Sequence, residues 1–355
     1  MPEIAEKTEK KRIEVAFFDA KPYDVSSFSP YAEKGDLHFR FFDTKLTIET
    51  VGLAEGADAV CVFVNDSVDA AVIDALCAMG VRLVALRCAG YNNVDLGAAF
   101  GKIHVIHVPA YSPNAVAEHA MALLLTSVRR IHKAYNRTRE FNFALKDLVG
   151  FNLCGKTVGV VGTGKIGRAF IRICLGFEMK VLAYDKFPAA IDGVEFVDLD
   201  RLFAESDVIS LHCPLTDETH HMICRESIEK MKRGVVIVNT SRGGLIDAEA
   251  LLAGVKARKI GAACLDVYEE ESDIFFEDNS GHILDDDTLA RLISMPNLLI
   301  TSHQGFLTTD ALSAIAETTA NGIRAFFAGD PPENEICYRC EKFAQCKQNK
   351  MEKCF

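Results

Sequence analysis

The 355-residue chain has no surplus of positive charge: 39 lysines and arginines stand against 50 aspartates and glutamates, a net charge of −11. A nucleic-acid partner requires a concentrated basic surface, and no such patch is visible, so that class is set aside. Long apolar runs are missing too. The longest helical apolar stretch, 115–128, is interrupted by Glu118 and His119, which excludes it as a membrane span. The N-terminal MPEIAEKTEKKRIE is charged from its third residue and lacks the apolar centre of a signal peptide. Internal repeats and low-complexity segments are also absent. These absences predict a cytoplasmic protein with neither a nucleic-acid nor a membrane partner.

A hydrophobic fraction of 49% with 25% charged residues describes a soluble globular chain. Its length exceeds one ordinary core and suits two domains. Of the twelve cysteines, eight (Cys61, Cys77, Cys88, Cys154, Cys174, Cys213, Cys224 and Cys264) are scattered singly among apolar neighbours, where cysteine behaves as a small hydrophobe. The other four, Cys337, Cys340, Cys346 and Cys354, crowd the end of the chain in C-x2-C-x5-C-x7-C order. In a cytoplasmic protein a metal accounts for such clustering more readily than disulfides do. Four thiolates can close a zinc site or carry an iron–sulfur cluster; disulfides and a disordered tail stay open as alternatives.

Apolar, β-rich runs at 13–18, 59–64, 82–86 and 103–108 alternate with helical patterns, the clearest over 68–79. Such alternation predicts a parallel sheet covered on both faces. Ser112 as N-cap and Pro113 at the first helical position then open a long apolar-rich helix over 113–135, suited to connecting two domains. A second series begins at Lys156, with strands at 157–161, 181–184, 208–212, 235–239, 261–265 and 298–301, and a last helix covers 310–327. Six short strands with intervening helices predict a doubly wound nucleotide-binding sheet.

At the head of that series, TVGVVGTGKIGRAF sets Gly162, Gly164 and Gly167 in G-x-G-x-x-G spacing between a strand and a helix, with Lys165 and Ile166 in the same loop. The first glycine permits the tight turn, the second lets backbone approach a pyrophosphate, and the third lets helix and strand pack closely. Free N–H groups at the helix start face the phosphates. Asp185, 18 residues beyond Gly167, ends the next strand, where a carboxylate binds the ribose hydroxyls and repels a 2′-phosphate. NAD is therefore expected over NADP. Further along, VVIVNTSRGGLID brings Arg242 to a carboxyl edge, CLDVYEEE brings carboxylates, and TSHQGF brings His303 to the same edge of one sheet, where ligands of open α/β sheets bind. Arg242 can grip a carboxylate with a planar fork, and an acid beside His303 favours its imidazolium form.

The stretches RCAGYNNVDL, VPAYSPNAVAEHA, GTGKIG, HCPLTDETHHMI, NTSRGGLID, LDVYEEESDIFFED and HQGFLTTDAL together resemble the D-2-hydroxyacid dehydrogenases, and within them the fermentative D-lactate dehydrogenases. The resemblance covers about residue 80 to 335 in order and spacing. It implies two Rossmann-like domains: a substrate domain from both chain ends (1–110 and 306–335) and an NAD-binding domain (111–305), followed by the Cys-rich tail (336–355). It implies a catalytic trio of Arg242, Glu271 and His303, the family spacing selecting Glu271 among three consecutive glutamates. It also places Asp266 beside the nicotinamide carboxamide, lines the cofactor cleft with Cys213, Pro214, Thr240 and Ser241, holds the substrate carboxylate on the backbone of Ala89 and Gly90, and shapes the pocket with Tyr91, Tyr111 and Phe306. For those three aromatics, simple core packing stays open. His212, His220 and His221 are read as cleft-wall or solvated residues. Two departures stand out: Ser302 occupies a position where many members have proline, and the family pattern usually stops near PENEI.

The function implied is NADH-dependent reduction of a small 2-oxo acid, pyruvate first, by a homodimer or homotetramer. A larger 2-oxo acid, or a non-enzymatic NAD-sensing regulator on the same fold, are the alternatives.

Overall fold

The computed structural model describes residues 12–271, 274–330 and 332–336. The four tail cysteines, Cys337, Cys340, Cys346 and Cys354, lie outside them, as do the zinc and iron–sulfur expectations attached to that segment. Two units are distinguished. One is built from residues before 112 and from Thr309 onward; the other is Ser112–Thr308.

In the first unit, β1 (Ile13–Phe17), α1 (Pro22–Ala32), β2 (Leu37–Phe41), β3 (Ala59–Val62), α2 (Ala70–Ala78), β4 (Leu83–Leu86), α3 (Leu96–Ala99) and β5 (His104–Ile106) follow in chain order. The strands form an all-parallel sheet in the order β2-β1-β3-β4-β5. Its inner strands are apolar throughout, with β3 (AVCV) and β4 (LVAL) fully buried, as a sheet covered on both faces demands. β2 was not anticipated in the sequence: LHFRF alternates buried and half-buried positions because it is an edge strand, and the histidine and arginine hid the apolar face.

The second unit holds α4 (Pro113–Val128), α5 (Ile131–Arg139), β6 (Thr157–Val161), α6 (Lys165–Gly176), β7 (Lys180–Tyr184), β8 (Val194–Phe196), α7 (Leu199–Glu205), β9 (Val208–Leu211), α8 (Arg225–Lys230), β10 (Val235–Asn239), α9 (Ala248–Lys256), β11 (Ile260–Leu265), α10 (Asp287–Ser294) and β12 (Leu298–Ile300). The seven strands run parallel in the order β12-β11-β10-β9-β6-β7-β8. From β6 the chain first winds through β7 to β8 and then returns to β9 on the other side, so the switch point lies at the carboxyl end of β6. α11 (Thr309–Ala328) belongs to the first unit and packs on α1.

Short acids set several helix starts. Asp69, Asp198, Asp247 and Asp286 each accept the N–H three residues on, and Ser112 does the same for α4; each such cap contributes about 1 kcal/mol. One face of the second sheet (Val158, Val160, Val236, Cys264) packs against Ala117, Ala120 and Leu124 of α4 and Phe170 and Cys174 of α6. The other face is covered by α7 to α10. Two differences from the sequence reading stand here. The 113–135 helix breaks at Arg130, whose φ of +57° starts α5 anew; no glycine or proline marks the break. β8 is a three-residue edge strand too short to carry a pattern.

Candidate active site

The glycine turn is built by close approach. Gly162 has φ +94°, and a Cβ there would stand 2.5 Å from the His212 carbonyl oxygen; one on Gly167 would stand 2.0 Å from the Gly162 carbonyl oxygen. Neither position admits a side chain without displacing backbone. Gly164 caps α6 with no side-chain hydrogen bond, and a Cβ on it would meet nothing within 4 Å. The start of α6 therefore presents uncapped N–H groups to open space, which suits an external anion. Asp185 reaches across from the end of β7: Oδ2 accepts the Thr163 amide at 2.6 Å and its hydroxyl at 2.8 Å, and Oδ1 accepts the Phe187 amide at 2.9 Å. Burial acts to raise this carboxyl, but those hydrogen bonds and nearby Arg168 hold it below the usual range, so it is anionic beside the turn.

On the other side of the switch point, three strands end in register. Asn239 pairs with Leu265, and Leu265 with Ile300, so Arg242, Asp266 and His303 leave adjacent strand ends. Arg242 is held from its backbone: Asn239 Nδ2 donates to its carbonyl at 2.9 Å, and Ser241 is fixed by Oγ donating to the Cys213 carbonyl at 2.6 Å. The guanidinium is partly exposed and donates one bond, to the Ser241 carbonyl at 2.7 Å. Among the described residues no carboxylate bridges it. Gly243 follows with so little room that a Cβ would fall 2.0 Å from the Tyr268 carbonyl, which locks the arginine turn to the 268–271 segment.

That segment carries Glu271, whose Oε2 accepts the Tyr268 amide at 2.9 Å while Oε1 pairs with His303 Nδ1 at 2.8 Å. With Nδ1 engaged, Nε2 is the ring atom left for chemistry. His303 has φ +54°, a left-handed conformation costing about 1 kcal/mol or more. Its cause is visible: the His303 amide donates to the Asp266 carbonyl at 2.7 Å, and the Asp266 carboxylate collects the Thr301 hydroxyl (2.5 Å), the Gln304 amide (2.9 Å) and the Gly305 amide (2.8 Å). Asp266 is buried; desolvation acts to raise it, but His119 and Thr301, with the Gln304 amide, hold it below the ordinary carboxyl range. It ties down the histidine loop.

His119 of α4, whose Nε2 lies 3.1 Å from Asp266 Oδ1 and 3.2 Å from the Thr301 hydroxyl, was missed in the sequence, where it read only as a polar interruption of an apolar helix.

The remaining expected residues fall as follows. Cys213 is buried beside Met222, and burial pushes its thiol up to about 11, so it is a neutral wall residue. Pro214 follows it on the surface. Thr240 is buried and its hydroxyl has no partner among the described residues; an orphaned hydroxyl next to Ser241 fits a polar ligand there. Ala89 and Gly90 follow β4 in the first unit, with the Ala89 carbonyl 2.9 Å from His107 Nδ1 and the Cys88 thiol donating to the Gly90 carbonyl at 3.2 Å. The Tyr91 ring is partly exposed and stands edge-on to His107 at 5.4 Å. Tyr111 ends the same unit, and Phe306 is buried in the second. His212 packs on Phe170, and burial lowers it to about 4, so it is neutral at physiological pH.

The glycine turn at a switch point, the ribose-side acid and an all-parallel seven-stranded sheet define a dinucleotide-binding protein. The NAD-binding domain of the D-isomer specific 2-hydroxyacid dehydrogenases matches residues 121–305. A 2-hydroxyacid dehydrogenase homolog of Haemophilus influenzae is 51% identical over 91% of this chain and 99% of its own length. The apo-structure of D-lactate dehydrogenase from Escherichia coli superposes with TM-score 0.85 at 47% identity, covering 91% of this chain and all of that one. The pyruvate reductase of Chlamydomonas reinhardtii superposes with TM-score 0.87 at 41% identity, covering 90% and 98%. The chain belongs to the D-isomer specific 2-hydroxyacid dehydrogenase family and is an NAD-dependent D-2-hydroxyacid dehydrogenase. The regulator alternative falls with that assignment.

Proposed function

We propose that the enzyme reduces pyruvate to D-lactate with NADH, and that Arg242, Glu271 and His303 do the work. NAD(H), when bound at the glycine turn, supplies or takes up the hydride. Gly162, Gly164, Lys165, Ile166 and Gly167 cradle its pyrophosphate, Asp185 accepts from the ribose hydroxyls, and Cys213, Pro214, Thr240 and Ser241 line the rest of its cleft. Asp266 holds the histidine loop and offers its remaining carboxylate lone pair on the carboxamide side. The first unit's substrate residues are the backbone of Ala89 and Gly90 with Tyr91 and Tyr111; the second unit's is Phe306. Arg242 presents its uncommitted N–H groups as a fork to a substrate carboxylate and polarises the ketone. His303 donates the Nε2 proton to the ketone oxygen, and Glu271 compensates the imidazolium charge from the Nδ1 side.

The observation that carries this reading is the His303–Glu271 bond of 2.8 Å on a loop fixed by Asp266, which leaves one ring nitrogen uncommitted. Pyruvate is supported by relatives named D-lactate dehydrogenase at 49% identity and pyruvate reductase at 41%; at 27–29% proteins named D-lactate dehydrogenase and D-2-hydroxyisocaproate dehydrogenase both occur.

The homo-oligomer is assigned to the 141–149 stretch, where Phe141, Phe143, Leu145 and Val149 are each more than 70% exposed; apolar exposure of that density marks a protein contact. A cytoplasmic location fits cysteines that form no disulfide among the described residues. It fits as well the absence, among those residues, of a helix long and apolar enough to cross a membrane.

Steady-state oxidation of NADH and NADPH with a panel of 2-oxo acids tests the proposal. Pyruvate with NADH should give the highest kcat/KM and D-lactate as product. A branched or dicarboxylic acid outperforming pyruvate would move the assignment to the larger substrate.

A further inference from the structure

Outside the His303 pair, one group of side chains among the described residues brings three metal-capable atoms together. His220, His221 and Glu269 place one nitrogen or oxygen each within 4.8 Å of one another. The two imidazoles stack at 3.8 Å between centroids and 24° between planes. His221 Nε2 is hydrogen-bonded to Glu269 Oε1, and His220 Nε2 lies 3.9 Å from the same oxygen.

The backbone beneath them is fixed. The His220 amide donates to the Thr216 carbonyl and the His221 amide to the Gly244 carbonyl, both at 2.8 Å. His221 is held at φ +51°, a conformation that costs energy unless its surroundings impose it. Gly243 abuts the 268–269 peptide too closely to admit a Cβ. All three side chains remain open to solvent, at 53%, 34% and 29% exposure.

We propose that His220, His221 and Glu269 form a binding site for a divalent transition-metal ion of the zinc type, completed by water. Two imidazole nitrogens and one carboxylate are a common donor set for such an ion and leave a position open; Mg²⁺ and Ca²⁺ prefer oxygen ligands and are not favoured here. Bonds of about 2.0–2.1 Å in a tetrahedron put ligand atoms about 3.4 Å apart. The three ligand atoms already lie within 4.8 Å of one another. A simple ion pair explains the arrangement less well, because it needs one imidazole at the carboxylate and gives no reason for a second stacked on the first. Hydride transfer needs no metal, so the ion's place is structural or regulatory: it would clamp the 216–222 loop to the 268–271 segment, which ends at Glu271. The site stands independently of the pyruvate assignment.

The tail cysteines would compete for any soft ion, so the test uses full-length protein with Cys337, Cys340, Cys346 and Cys354 replaced by serine, stripped with EDTA and titrated with Co²⁺. We expect one equivalent to bind with visible d–d bands and no thiolate charge-transfer band in the near ultraviolet, and Zn²⁺ to displace it. Glu269→Gln, nearly isosteric, and His221→Ala should each weaken binding at least about tenfold. No uptake in the parent, or uptake unchanged in both variants, would overturn the site.

Discussion

The two sheets begin with the same move, a parallel strand turning into a helix, and the two turns are filled in opposite ways. After β6, three glycines keep the turn bare and the start of α6 uncapped. After β1 the turn is FDAKPYD, without a glycine, and the chain supplies its own anion. Asp24, the third residue of α1, accepts the Lys21 amide at 3.0 Å and pairs with Arg87 Nε at 3.2 Å. Arg87 also donates to the Asp19 carbonyl at 2.7 Å and lies over the Phe17 ring at 4.5 Å. Asp24 and Arg87 are both buried. One topology thus yields a closed structural knot in the first unit and an anion cradle in the second; the difference lies in which turn excludes side chains.

The largest way to break this comparison is Arg87→Ala. It leaves Asp24 buried without its partner, and removing one member of a buried pair costs about 3–5 kcal/mol. Urea unfolding followed by circular dichroism should show that loss, while NADH affinity measured under native conditions stays near the parent value.

Gly162→Ala works on the other turn. A methyl group 2.5 Å from the His212 carbonyl oxygen must push the turn open. NADH binding, followed by nucleotide fluorescence, should weaken about 10- to 100-fold, or about 1.4–2.8 kcal/mol. Ala20→Gly in the first turn should leave it unchanged.

A smaller effect comes from His212, which packs on the cradle. Burial lowers it to about 4, below its unfolded value of about 6.5. Its neutral form is favoured in the folded state, so the stability it contributes is complete above about pH 6.5 and is lost as pH falls towards 4. With partial exposure discounted, the loss is on the order of 1–2 kcal/mol. His212→Gln should flatten that acid limb in thermal melts between pH 7 and 4.5; an unaltered limb would assign the acid loss to other groups.

Much of this was legible in the sequence because the informative features are local. The glycine spacing and the apolar runs of β3, β4, β6 and β9 each announce themselves within a few residues, and Asp185 stands 18 residues beyond Gly167 at the end of the next strand. Arg242 and His303 were legible as strand-end residues once the strands were placed, whereas Asp266 and Glu271 were singled out only by the family resemblance. What escaped was non-local or unmarked. The role of Asp266 as the anchor of the histidine loop depends on amides at Gln304 and Gly305 that only folding brings to it. His119 acts from a helix far earlier in the chain. The kink at Arg130 involves a residue with no intrinsic preference for positive φ, and although histidine tolerates that conformation better than most, no local pattern marks it at His303. β2 and β8, as edge strands, carry mixed patterns that periodicity alone does not separate from loops.

The central claim is that the second sheet's carboxyl edge carries the proton donor, and His303→Ala tests it most directly. NADH binding and pyruvate turnover should be measured on the same preparation. Loss of a positioned general acid lowers kcat about 10²–10⁴-fold, and because His303 is not part of the nucleotide cradle, the NADH dissociation constant should stay within about twofold of the parent's. A variant that binds NADH normally and reduces pyruvate at near-parent rate would contradict the account.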